Sequence, residues 1–201
     1  MNFWFHIRNI VFPKYTWRRE VQEMVVYLTF DDGPHPSITP WVISELEKVG
    51  AKGTFFVVGD NVDKFPNVIS ELKSNGHSIG NHTQHHTKGW KVSKSEYLKE
   101  IEECQERIGE SSLFRPPYGQ INFKASDEIL QDYEVVMWDI LTKDYLKTLG
   151  VNRAQRRIQR LTTPGSVVVF HDSEKAEKNL KALLPEYLRF LKKEGYQMKV
   201  L

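Results

Sequence analysis

Short apolar runs rich in β-branched and aromatic residues alternate with amphipathic stretches along this 201-residue chain. That alternation restricts the fold more than any other feature. Val25 to Phe30, Thr54 to Val58, Val135 to Trp138 and Val167 to Phe170 are too short for helices and read as strands buried on both faces. Shorter candidates lie at Ser78 to Asn81, Leu113 to Arg115 and Gln197 to Val200. A sheet whose strands are apolar on both sides must be covered on both sides, and the amphipathic stretches between the runs supply the cover.

Those stretches carry helix signals. Thr39 stands as a cap with Pro40 at the first helical position, and Gly50 closes that helix after Val42, Leu46 and Val49. Ser93 with Glu96 makes a capping box ahead of an apolar row of Tyr97, Ile101, Cys104 and Ile108. Val151, Ala154, Ile158 and Leu161 form one helix face, opposite Arg153, Arg156, Arg157 and Arg160. Leu184, Tyr187, Leu188 and Leu191 predict a last helix that Pro185 begins or kinks. Strand and helix in alternation, with no glycine-rich dinucleotide fingerprint, predict an α/β fold of about seven parallel strands closing toward a barrel.

The totals remove several function classes. Basic and acidic side chains number 28 and 26, a net charge of +2, so no basic excess points to nucleic acid. Cys104 is the only cysteine and belongs to the apolar row above, which predicts a packed thiol. No apolar run approaches the ~20 residues of a membrane helix. The aromatic N-terminal stretch is interrupted by His6, Arg8 and Asn9 and closed by Pro13, with no clean secretory pattern. The expectation is an extension over residues 1–24 packed on a catalytic domain of residues 25–201. A cytoplasmic location follows by default, with export or envelope association left open.

Three short stretches carry the chemistry. Thr29-Phe30-Asp31-Asp32-Gly33 puts two adjacent carboxylates at the end of an apolar run. A turn is the ordinary reading of Asp-Asp-Gly-Pro. Yet holding both carboxylates ionised in a cleft is costly without a cation, and a metal on one leaves the other free as a base. His82 and His86 would share a face if their segment is helical, half of a zinc site, with His85 pointing elsewhere. With Asp32 they make a three-ligand set that leaves positions open for water, as a catalytic site requires. His171 ends the run from Ser166 to Phe170, where a core histidine bonded to the backbone is the alternative reading. Arg115, before Pro116-Pro117-Tyr118-Gly119, reads equally as a loop stiffener, and Asp144-Tyr145 as a surface pair. In strand–helix folds chemistry gathers at the carboxyl ends of strands, and Asp31, Asp32, His82, Arg115 and His171 all fall there.

Taken together these stretches resemble the polysaccharide deacetylase family, carbohydrate esterase family four, also called the NodB-homology domain. Five motifs run in order: 29–33, His-Thr-x-x-His at 82–86, Arg-Pro-Pro-Tyr-Gly at 115–119, the region from Trp138 to Tyr145, and Val169-Phe170-His171. The resemblance implies a distorted (β/α) barrel and a metal-dependent hydrolase that removes N-acetyl groups from a GlcNAc-containing glycan. It implies that Asp32, His82 and His86 hold one divalent ion, usually zinc, with cobalt, manganese or nickel as substitutes. It assigns Asp31 as general base, with Arg115 pairing it. His171 is then the general acid, with Asp144 holding its imidazole, and the Tyr118 backbone N–H donates to the oxyanion. The family's Asp-Trp is here Asp144-Tyr145 and its Leu is Val169. Both positions line the acetyl pocket, so Tyr145 and Val169 imply an altered pocket shape. An O-acetyl esterase acting on a xylan-like polymer, and a non-catalytic sugar-binding module, stand as alternatives. A redox centre fits less well, because Asp31 and His171 would have no task there.

Overall fold

A computed structural model describes residues 12–201. Eight strands form one parallel sheet: β1 (Val25–Asp31), β2 (Thr54–Val57), β3 (Ser78–Asn81), β4 (Leu113–Phe114), β5 (Glu134–Val135), β6 (Ile140–Leu141), β7 (Val167–His171) and β8 (Gln197–Lys199). Seven follow in the order β5-β4-β3-β2-β1-β7-β6. β8 lies beside the first half of β1, pairing Val25 to Tyr27, and β2 takes over at Thr29 to Asp31. The helices α1 (Ile38–Glu47), α2 (Gly59–Lys64), α3 (Pro66–Ser74), α4 (Lys94–Ile108), α5 (Ser126–Asp132), α6 (Val151–Leu161) and α7 (Glu177–Lys193) connect them. The result is the expected parallel α/β fold, a curled sheet short of a full barrel.

Side chains alternate across a strand, and here the two faces do different work. Val26, Leu28 and Phe30 of β1 join Val168 and Phe170 of β7 and Phe55 of β2 in the main apolar core under the helices. Phe30 stacks on Phe55 at 4.8 Å and on Phe170 at 5.9 Å. Each such ring contributes about 1.5–3 kcal/mol on burial. The intervening residues, Thr29 and Asp31 of β1 and Val169 and His171 of β7, turn inward. The β1–β7 register pairs Thr29 with Val169 and Asp31 with His171.

Several local expectations shift. α1 starts at Ile38 after Ser37, so Pro40 is its third residue and Thr39 lies inside its first turn. The Thr39 hydroxyl is engaged by Asp172 and accepts the His35 N–H. α7 begins eight residues before Pro185, which sits within it. The run from Val135 to Trp138 pairs as a strand only at its start, because the Arg115 side chain takes the carbonyls of Val136 and Met137. The capping box at Ser93 and Glu96 is present, and Cys104 is buried. Of the four arginines on α6, Arg157 turns back to donate to the Leu141 carbonyl at 2.9 Å.

β5 and β6 are two residues each, so the curled sheet has short open edges. Residues 16–19 lie across that gap. Thr16 donates to Val135 O and accepts from Met137 N, and Arg19 N donates to Gly165 O before β7. Tyr15 and Trp17 bury their rings with Tyr97, Phe114 and Ile121 in a second apolar cluster. Residues 1–11 of the expected N-terminal extension lie outside the described residues. Among the described residues no helix is long and apolar enough to cross a membrane.

Candidate active site

The inward residues at the carboxyl ends of β1, β4 and β7 converge. Arg115, just past β4, is fully buried under Asp31, and its Nη1 donates to Asp31 Oδ1 at 2.6 Å. The rest of the guanidinium is satisfied by Thr29 Oγ1 at 2.8 Å and by the carbonyls of Val136 and Met137 at 3.0 and 2.9 Å. Its plane lies 4.0 Å over the Phe56 ring. A buried ion pair survives the loss of water only when its remaining hydrogen bonds are made, and here they are. This placement replaces the reading of Arg115 as a loop stiffener.

Asp32, one residue on, leaves the strand. Its φ of 77° swings the carboxylate away from Asp31 and toward two imidazoles. Asp32 Oδ1 lies 3.1 Å from His86 Nε2 and 3.8 Å from His82 Nε2. Candidate ligand atoms of the three residues all lie within 4.8 Å of one another. The helical route to this pairing is not the one taken. Residues 82–88 form a loop, with Thr83 and His86 at φ 65° and 55°. Side chains and distant carbonyls set its shape: Thr83 N donates to Asn81 Oδ1, Thr87 N to Thr83 Oγ1 and Gln84 N to Glu100 O. His85 points outward to Glu100, with Nδ1 2.7 Å from its carboxylate.

The protonation states suit a cation. His82 Nδ1 lies 2.7 Å from the Arg115 carbonyl, which can only accept, so the proton is on Nδ1 and the Nε2 lone pair is free. Burial pushes the His82 pKa down to about 4, keeping the ring neutral. Burial alone would raise that of Asp32. The His86 hydrogen bond and the charge of His171 outweigh it and hold the carboxyl well below the usual range. A neutral imidazole with a directed lone pair and an ionised carboxylate are what a divalent ion binds. The donor set fits the expected metal.

Across the cavity, His171 Nδ1 lies 2.7 Å from Oδ1 of the buried Asp144, whose Oδ2 accepts the His171 backbone N–H at 2.8 Å. Burial depresses the imidazolium, but the bond to Asp144 and the charges of Asp144, Asp32 and Asp31 prevail and lift the pKa to about 9. Tyr145 meets the His171 ring edge-on at 5.0 Å. Tyr118 sits at φ 60°, its ring 4.7 Å from His86. The turn uses the amides of Gly119 and Gln120, and among the described residues no acceptor takes that of Tyr118. The cavity of about 630 Å³ is lined by Asp31, Asp32, His82, His86, His171, Tyr118, Tyr145 and Val169. All ten residues picked out from the sequence therefore meet at one place, with Arg115 and Asp144 supporting from behind.

Some of the site is not signalled by the motifs. Lys64 and Lys175 stand at the mouth of the cavity, while Trp138 and Leu141, which fall in the fourth motif region without having been singled out, complete its apolar wall. Asn61 Nδ2 donates to Asp32 O at 2.8 Å and Val58 N to Gly33 O, clamping the Asp32 backbone. Asp172 is fully buried, and its Oδ1 accepts the Gly33 amide at 3.1 Å. A Cβ on Gly33 would come within 2.3 Å of Asp172, so only glycine fits that approach. The carboxylate after His171 at a strand end was the available clue. A groove of similar size on the opposite face, near His77 and Glu134, gathers no comparable chemistry.

A sequence profile of the polysaccharide deacetylase family matches residues 18–138, more than half of the chain. The chain belongs to that family. It is 35% identical over 156 residues to a peptidoglycan-N-acetylglucosamine deacetylase of Bacillus cereus, covering 74% of this chain and 56% of that protein. A second Bacillus cereus protein of the same name is 32% identical over 191 residues, covering 90% of this chain and 88% of that one. A crystal structure of a peptidoglycan N-acetylglucosamine deacetylase in complex with 4-naphthalen-1-yl-N-oxidanyl-benzamide gives a TM-score of 0.88 at 30% identity, covering 94% of this chain and 91% of that one. The chain thus spans little more than half the length of one relative and most of the other two proteins. The profile match ends before Asp144 and His171, so for this pair the geometry is the direct observation.

Proposed function

We propose that the protein is a metal-dependent hydrolase that removes N-acetyl groups from a GlcNAc-containing glycan of the peptidoglycan type. One observation carries the reading: Asp31 and His171 face each other on paired strands beside the Asp32, His82 and His86 donors. The Bacillus cereus relatives, named for peptidoglycan N-acetylglucosamine, support the substrate class.

Asp32, His82 and His86 hold the ion, most readily zinc, and cobalt, manganese and nickel also accept this donor set. Such an ion polarises an amide carbonyl and acidifies water. Asp31, held in place by its ion pair with Arg115, takes the proton of the attacking water. The Tyr118 amide donates to the oxyanion, a contact of about 3 kcal/mol in comparable sites. An amine leaves poorly unless protonated, and His171, charged at neutral pH and oriented by Asp144, delivers that proton. Tyr145 and Val169 bound the acetyl pocket.

The test is acetate release from peptidoglycan fragments and from chitooligosaccharides. We expect activity that chelation removes and zinc restores, and a loss of about 10²–10⁴-fold in Asp31→Asn. Inactivity on every N-acetylated glycan, with turnover of acetylated xylan, would replace the deacetylase by an esterase.

A further inference from the structure

Five large hydrophobic side chains are exposed among the described residues: Met24, Trp90, Tyr118, Phe123 and Leu146. Three of these stand on the loops that follow His86 and Arg115. Tyr118 belongs to the catalytic cavity. Trp90 and Phe123 do not, and they are 60% and 56% exposed.

The two loops are fastened together. Gly89 N donates to Gln120 O at 2.9 Å, and Asn122 Nδ2 donates to Val92 O at 3.0 Å. A side chain at Gly89 would strike Asn122 N at 2.4 Å, so the approach depends on glycine. This brings the Trp90 and Phe123 rings side by side, centroids 6.1 Å apart and planes within 29°. Phe12 continues the row at 6.0 Å and 11° from Phe123. Behind it, Phe12 stacks on Tyr15, whose hydroxyl is bonded to Ser126 Oγ at 2.7 Å. The rings are thus braced rather than loose. Trp90 and Phe123 border a groove of about 820 Å³ that Ser93, Lys94 and Asn122 also line.

An exposed apolar patch with a polar rim costs solvation energy and marks a binding surface. A row of near-parallel rings offers electron-rich faces to the polarised C–H groups of a pyranose, while hydroxyls reach the rim. Trp90 lies four residues past His86, at most ~14 Å of chain, and Lys88 between them reaches over the Tyr118 ring of the catalytic cavity at 4.4 Å, so the row starts close beside the cleft. We propose that Trp90 and Phe123, extended by Phe12, form a platform that binds the glycan units flanking the sugar being deacetylated. This rests on the reading that the site acts on a glycan.

The test uses chitooligosaccharides of two to six units as probes on the full chain. For the wild type, kcat/KM rises with length. In Trp90→Ala with Phe123→Ala we expect about a tenfold loss on the hexamer, the scale of one or two aromatic contacts, and little change on the dimer. Trp90→Tyr keeps the length preference. A catalysis-free readout is calorimetric binding of the hexamer in the Asp31→Asn background, which weakens on Trp90→Ala. If the wild type releases no acetate but this binding still falls, the platform stands and the deacetylase reading fails. Equal loss at all lengths, no loss at any, or no hexamer binding at all overturns the platform. So does an unchanged length profile in variants that instead alter sedimentation or binding to lipid vesicles, which would make the face a self-association or membrane surface.

Discussion

The strand-borne half of the site and its loop-borne half hold their side chains by different means. Asp31, Arg115 and His171 sit at or just past strand ends, buried or nearly so, with positions set by the backbone ladder. Asp32, His86 and Tyr118 sit on loops with φ of 77°, 55° and 60°. The other described non-glycine residues with positive φ, Thr83 and Lys143, are also site neighbours, beside His82 and Asp144. Such conformations cost of order 1 kcal/mol or more each and persist only where the surroundings impose them. One half is therefore part of the fold's stability. The other draws on that stability to present a ligand set.

The contrast breaks most sharply at Arg115. Arg115→Met leaves the Asp31 charge buried without its partner, and we expect a loss of about 3–5 kcal/mol in denaturant unfolding. His86→Ala is the counterpart: unfolding of the metal-free protein should change by under about 1 kcal/mol, while zinc binding by calorimetry collapses. If both variants destabilised alike, the two halves would not be distinct.

Asp144→Asn comes next. Without the carboxylate, burial dominates the imidazole, so the His171 pKa falls from about 9 toward or below its ordinary value. A general acid works only while protonated, so the alkaline limb of kcat/KM should move to lower pH, with a loss of about 10–100-fold at pH 8. The sign of that shift is the check. A bound cation offsets the Asp32 charge and lowers the starting point in both proteins without changing the sign. The smallest effect is expected at Tyr118→Gly, which removes the left-handed strain from an exposed residue. The metal-free protein should gain up to about 1 kcal/mol by thermal unfolding even as acetate release declines.

The same division explains what the sequence disclosed. Apolar runs ending in Asp31 and His171 mark strands whose inward residues follow from period-two alternation, so the placement of these two side chains is readable in one dimension, while the roles expected of them rest on the family resemblance. The candidate ligand set was readable as well, because His82, His86 and Asp32 are unusual residue types in that pattern. Their conformation was not. The i, i+4 spacing suggested a helix, whereas the loop obeys Asn81, Glu100 and its own Thr83, contacts reaching up to 16 residues away. Asp172 and Asn61 had tasks hidden for a related reason, although a carboxylate at a strand end was a clue to Asp172. They act on backbone amides and carbonyls of Gly33 and Asp32, and such partnerships leave no mark on residue spacing. The closure of the sheet by residues 16–19 likewise depends on two edges too short to recognise.

Pairing Asp31 with His171 on neighbouring strands makes the peptide backbone a ruler between two ionisable side chains. Adjacent strands stand about 4.8 Å apart, so the carboxylate and the imidazole keep a fixed span whatever the surrounding loops do. Those loops can then be rebuilt for a different polymer, lengthened or stripped of their aromatic residues, while the distance over which the bond is broken stays the same.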